Sequence, residues 1–160
     1  MFHSRLLSAA LAAALFSSSA VPVLAGDQEV AYLQSIAGKY AGAGEITGED
    51  GGPVTCRMTF KPSGVKLNYT GRCSGGGGSQ SFSGSIRYND AEGRWESSSQ
   101  GRTIPGTMSA ETLVFASRSK NSRGIVTSVM RLSPSAISVS FEMEAKNGDL
   151  SAGTIPFARS

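Results

Sequence analysis

Two carboxylates two residues apart, Glu142 and Glu144, have a spacing that suggests chemistry. On a β-strand they share one face about 7 Å apart, within the range that glycosidases use for a carboxylate pair. Their neighbours set the opposite orientation: Ile137, Val139, Phe141 and Met143 take the alternate positions, so the apolar side is buried and both glutamates face water. Nucleophilic chemistry lacks its usual base. The only histidine is His3, and no Gly-x-Ser-x-Gly elbow occurs, so an active serine would need a lysine or a carboxylate placed by the fold. The glycines at 75–78 lack the Gly-Lys-Ser/Thr ending of a phosphate loop and read as a linker. Histidine-dependent triads and zinc sites are thereby removed. No catalytic residue, metal or cofactor is assigned.

Two groups of residues suit binding instead. Arg118, Lys120 and Arg123 gather at an expected hairpin tip, where they fit an anionic lipid head group, a polysaccharide or an acidic partner, or simply keep a loop solvated. Arg131 extends this patch if it faces outward. The second group is apolar: Tyr40, Met58, Phe60, Tyr69, Phe82, Met130, Phe141 and Met143, with Phe115, either fill a core or line a site for a small apolar ligand.

The elements that must position these residues begin after an export signal. Arg5 opens a basic start, an apolar run follows from Leu6 to Phe16, and Val23-Leu24-Ala25 forms a small-residue exit, so residues 1–25 read as a cleavable leader. The run is broken by Ser17-Ser18-Ser19 and Pro22, too short for a permanent membrane span. Gly26, not cysteine, follows the expected cut, so a lipid anchor is not expected. Residues 26–160, about 135 in all, suit one domain with a real core. Without Arg5 the net charge falls from +3 to about +2, too mild to imply nucleic acid. Export places Cys56 and Cys73, the two cysteines of the chain, in an oxidising compartment, and a disulfide between them is expected.

Short apolar/polar alternations separated by turn residues predict antiparallel β structure. One helix is expected over residues 27–36, with Val30, Leu33 and Ile36 on one face and Asp27 capping the start. Strands are expected at 38–47, 54–61, 65–70, 82–88, around Trp95, and at 112–117, 124–132, 136–145 and 151–157, with 100–106 read as turn. About eight to nine strands of this kind favour an all-β, antiparallel up-and-down barrel with a short N-terminal helix across one end. A two-sheet sandwich is the competitor. The cysteines strain this scheme. A turn at Pro62-Ser63-Gly64 puts Cys56 opposite a residue near Tyr69, so a bulge near Gly71 is needed to bring Cys73 into range.

The helix followed by Gly38-Lys39-Tyr40 opening the first strand resembles the lipocalin-like (calycin) barrels, in which a Gly-x-Trp pair marks that position and Tyr40 here replaces the tryptophan. The Cys56-Arg57-Met58-Thr59-Phe60 strand and the second cysteine, Cys73, are also similar to the small bacterial metalloprotease-inhibitor barrels. That second resemblance implies that residues 26–34 act as an inhibitory trunk, against their reading as a capping helix. The sequence therefore reads as a non-enzymatic periplasmic or secreted barrel that binds a small apolar ligand or a cell-envelope component. The alternatives are an envelope proteinase inhibitor and a small hydrolase that uses carboxylates or a Ser/Lys pair.

Overall fold

The computed structural model describes residues 26–48, 51–76 and 78–160; the expected leader, residues 1–25, lies outside the described residues. The order is α1 (Asp27–Ile36), β1 (Gly38–Thr47), β2 (Gly52–Ser63), β3 (Lys66–Gly75), β4 (Gly78–Asn89), β5 (Arg94–Ser99), β6 (Arg102–Ser109), β7 (Thr112–Lys120), β8 (Gly124–Leu132), β9 (Ile137–Ala145) and β10 (Leu150–Arg159). Each strand pairs with its sequence neighbours, and β1 pairs antiparallel with β10 to close a ten-stranded up-and-down barrel.

The strand missing from the sequence reading is β6. Pro105 and Gly106 argue against a strand there, because proline lacks a donor and glycine has no side chain to pack. Both objections are answered locally. β6 pairs with β7 only over residues 106–109, so Pro105 sits beyond the end of that ladder and its missing N–H removes no bond on that side. Gly106 lies against the Phe115 ring, which a Cβ would strike.

The cysteine strain has an equally local answer. Ser63 pairs with Lys66, so the β2–β3 hairpin turns at Gly64-Val65, not at 62–64, and Gly64 adopts the positive φ of 58° that a two-residue hairpin turn requires. In this register Cys56 lies directly opposite Cys73, with Cα atoms 4.0 Å apart, and they form the disulfide with no bulge. The same shift moves Val65, expected inside, into the turn, where it is 63 % exposed.

One end of the barrel is plugged. Leu33 and Ile36 of α1 are 2 % and 0 % exposed and pack on Tyr40, Phe60, Leu67, Ile86, Leu113 and Leu132, all buried. Burial of each aliphatic side chain contributes about 1.5–3 kcal/mol. Gly26, rather than Asp27, occupies the N-cap, without a side-chain bond; Asp27 and Glu29 instead place negative charge in the first turn, where the helix dipole favours it. The C-terminal end is held by Arg159, whose guanidinium donates to the Ala37 and Ser35 carbonyls at 2.7 and 2.6 Å and lies over the Tyr40 ring. Tyr40 donates to the Ile36 carbonyl at 2.7 Å. Burial pushes the Tyr40 and Tyr32 hydroxyls above their ordinary pKa, so both stay donors. Tyr32 donates to the Leu132 carbonyl at 2.7 Å, tying α1 to the far wall.

On the outer wall, Glu96 is 4 % exposed beneath its partners. Asn89 donates to it at 3.0 Å, Arg87 at 3.0 and 2.9 Å, and Arg94 at 3.3 Å. The Asn89 and Arg87 hydrogen bonds outweigh desolvation and hold its pKa below the usual carboxylate value. A carboxyl whose folded pKa is lowered stabilises the fold above its unfolded pKa, and that contribution is lost as pH falls through the folded value. Urea denaturation of Glu96→Gln should thus show a stability deficit at neutral pH that shrinks on acidification below about pH 4; a deficit constant with pH would refute this role. Replacing both cysteines with serine should cost about 3 kcal/mol in the same assay, and an unchanged urea midpoint would show that the cross-link contributes nothing.

Candidate functional site

Alternation along β5, β7 and β8 changes character half-way up the barrel. Near the plugged end the inward positions are Trp95, Leu113, Phe115, Met130 and Leu132; towards the open end they become Ser97 and Ser99 on β5, Ser117 and Ser119 on β7, and Ser128 on β8. Ser97 is only 3 % exposed, and the Ser117 and Ser128 hydroxyls hydrogen-bond at 2.8 Å. Serines are too small to fill the space that the larger residues fill below. The result is a cavity of about 740 Å³ in the open half of the barrel. Its apolar walls are Met58, Tyr69, Phe82, Met130, Val139 and Ile155, and it reaches down to Phe115 and Phe157. The size is within the roughly 300–1,000 Å³ of sites for drug-sized ligands. A second space of about 640 Å³ at the rim, lined by Ile46, Val54 and Gln80, shares Cys73 and Asn121 with it.

The rim is uneven, and the strand registers show why. β5 ends at Ser99 and β6 begins at Arg102, joined by Gln100 and Gly101, whose φ values of 50° and 75° are those of a tight hairpin turn. On one side residues 78–84 of β4 continue past the last β5 pair at Ser85; on the other, residues 102–105 of β6 and 116–120 of β7 both run on beyond the last pair they share, Gly106 with Phe115, without pairing to each other. A notch therefore opens beside the β5–β6 hairpin, between β6 and β7, while Ser99 bonds to the Ser83 carbonyl at 2.7 Å on the β4 side. The cavity reaches the surface here, which explains why Ala116, Arg118 and Lys120, outward by alternation, still border it. Cys56–Cys73 cross-links β2 to β3, the pair of long strands next to β4.

The sequence-selected residues divide along this axis. Met58, Tyr69, Phe82 and Met130 come together on the cavity wall, whereas Tyr40 and Phe60 lie below it, stacked edge to face at 5.7 Å in the plug. Phe141 is partly buried, packed under Gly153 on the core, and Met143 is half-buried near the rim; neither borders the cavity. Arg118, Lys120 and Arg123 meet at the open end, Arg123 in a turn whose amides at Arg123 and Gly124 donate to Asn121 Oδ1. Arg131 pairs with Val114 and Ser138 near the plugged end, so it does not extend that patch. Glu142 and Glu144 face outward and are exposed, as their neighbours implied. Missed were Arg102 and the five serines. Their signal is in the strand pattern: serine occupying the inward phase at one end of a strand whose other end carries Trp95 or Phe115.

Comparison with known proteins adds a fold likeness. No protein-family model and no curated protein matches the chain. Among solved structures, Rv2717c from M. tuberculosis superposes with a TM-score of 0.56 at 14 % identity, over 80 % of this chain and 94 % of that one. The S-type phycobiliprotein lyase CPES from Guillardia theta does so with a TM-score of 0.56 at 12 % identity, over 80 % and 90 %. The likeness is one of fold. It is consistent with the closed antiparallel barrel and assigns no family.

One expectation is corrected by it. The chain was read as non-enzymatic because it lacks histidine motifs and forms a small barrel, yet a protein of this architecture is a named lyase, so the barrel shape does not exclude catalysis. Composition still removes chemistry that needs a histidine beyond His3. The trunk reading of residues 26–34 meets a different objection: most of that stretch lies in α1, whose buried face plugs the barrel. Among the described residues no helix is long and apolar enough to cross a membrane. If Gly106 is glycine because Phe115 needs its space beneath the notch, Gly106→Val should destabilise the fold by about 1–3 kcal/mol. Thermal or urea unfolding of that variant, unchanged from wild type, would contradict the packing.

Proposed function

We propose that this chain is an exported barrel that takes a small, largely apolar molecule through the notch into its open half. The observation that carries the reading is the cavity of about 740 Å³, lined by apolar side chains and serine hydroxyls and open to solvent where β6 and β7 part. A side-chain-filled interior would have needed large residues where Ser97, Ser117 and Ser128 stand. Export is supported by the leader pattern and by the Cys56–Cys73 disulfide, which persists in oxidising compartments. Met58 and Met130 would adapt the wall to the ligand's shape.

A neutral fluorescent naphthylamine, N-phenyl-1-naphthylamine, tests this directly. It should bind saturably with one site per chain. Ser117→Phe or Ser128→Phe, which fill the cavity from the adjacent, paired strands β7 and β8, should weaken binding at least about tenfold, equivalent to ~1.4 kcal/mol, with unfolding midpoints no lower than wild type. Equal binding by wild type and both filled variants would sink the reading. Native mass spectrometry of protein purified from its own host should also show a co-purifying small-molecule adduct.

A further inference from the structure

We infer that the molecule held by this barrel is an anionic amphiphile, and that Arg102 receives its negative group in the notch. The inference rests on the cavity-binding reading above and goes further by naming the ligand's chemical class. It stands on the order of chemistry along the cavity. At the bottom are Phe115, Met130, Val139 and Phe157; in the middle come the hydroxyls of Ser97, Ser117 and Ser128; at the opening stand Arg102, Arg118 and Lys120. Apolar, hydrogen-bonding and cationic zones follow one another along one path. A molecule with an apolar body and one anionic end matches all three.

Arg102 is the best placed of the cations. It pairs with Ser99 and so shares the inward phase of β5 and β6, whereas Arg118 and Lys120 take the outward phase of β7 and border the notch from outside. Arg123 stands on the adjoining rim. Among the described residues, none of these four is in an ion pair, in contrast to Arg87 and Arg94 on the outer wall, which are committed to Glu96. No carboxylate borders either space among the described residues. The acidic groups nearest in register, Glu142 and Glu144, lie two strands from Arg118 and Lys120, across Thr127 and Ile125, and point away from the interior. Lys146 and Asp149 in the β9–β10 turn offset each other, and Glu49 and Asp50 lie outside the described residues. Guanidinium forks suit the planar or tetrahedral oxygens of a carboxylate or a phosphate.

Displacement of bound N-phenyl-1-naphthylamine by three ligands with the same chain, dodecanoate, dodecyl phosphate and dodecanol, separates the terms. At least one anion should displace the probe roughly tenfold or more better than dodecanol, and the better anion identifies the head group. Arg102→Gln should collapse that preference, measured relative to the same variant's own affinity for the neutral probe, Arg102→Lys should keep part of it, and added salt should reduce it. Dodecanol competing as well as both anions, or an anion preference untouched by Arg102→Gln, would overturn the inference and leave cavity binding standing. Failure of the neutral probe itself to bind would overturn both.

Discussion

Every amide in a sheet needs a partner, and in this chain the barrel is closed by the β1–β10 ladder, which joins the first strand to the last. Closure makes the inward phase of each strand one shared interior and the outward phase one shared surface. The disulfide, the plug and the cavity are consequences of how that interior is filled. At the helix end, large side chains and α1 fill it; at the other, serines and a short hairpin leave it empty.

The two halves call for different physics. In the plug, aromatic rings meet edge to face, as in Tyr40 with Phe60 and Tyr32 with Trp95, and the tyrosine hydroxyls find backbone carbonyls, so burial leaves those hydroxyls partnered. In the open half the polar groups keep access to solvent or to a guest. A barrel with both halves packed would be more stable, and one with both halves open would lack a core. Confining the core to one end frees the other from the demands of packing, while the Cys56–Cys73 link stabilises the long β2–β3 arm above the plug.

The fold likeness to barrels of very different sequence fits this division. Alternation and closure can be satisfied by many residue choices, so architecture persists where identity does not, and activity must be argued from the cavity. Here the features that matter, five inward serines, Arg102 and the notch, are particular to the strand ends and are not required for closure.

Two-residue alternation was enough to read antiparallel strands and the outward placement of Glu142 and Glu144, and the i, i+3 face of Val30, Leu33 and Ile36 was enough for the helix, because each period assigns side chains to a face before any partner is known. It failed where the deciding partner is distant. β6 was hidden because Pro105 is tolerated only where the β7 ladder has ended, and the disulfide register depended on which two residues turn at Gly64. Whether an inward residue fills or lines the interior depends on its height along the barrel axis, which separates Tyr40 and Phe60 from Met58. The serines that leave the upper half empty can be read off the strand pattern once each inward phase is known, but the notch that opens it came only from the registers of neighbouring strands, which closure sets and local sequence does not record.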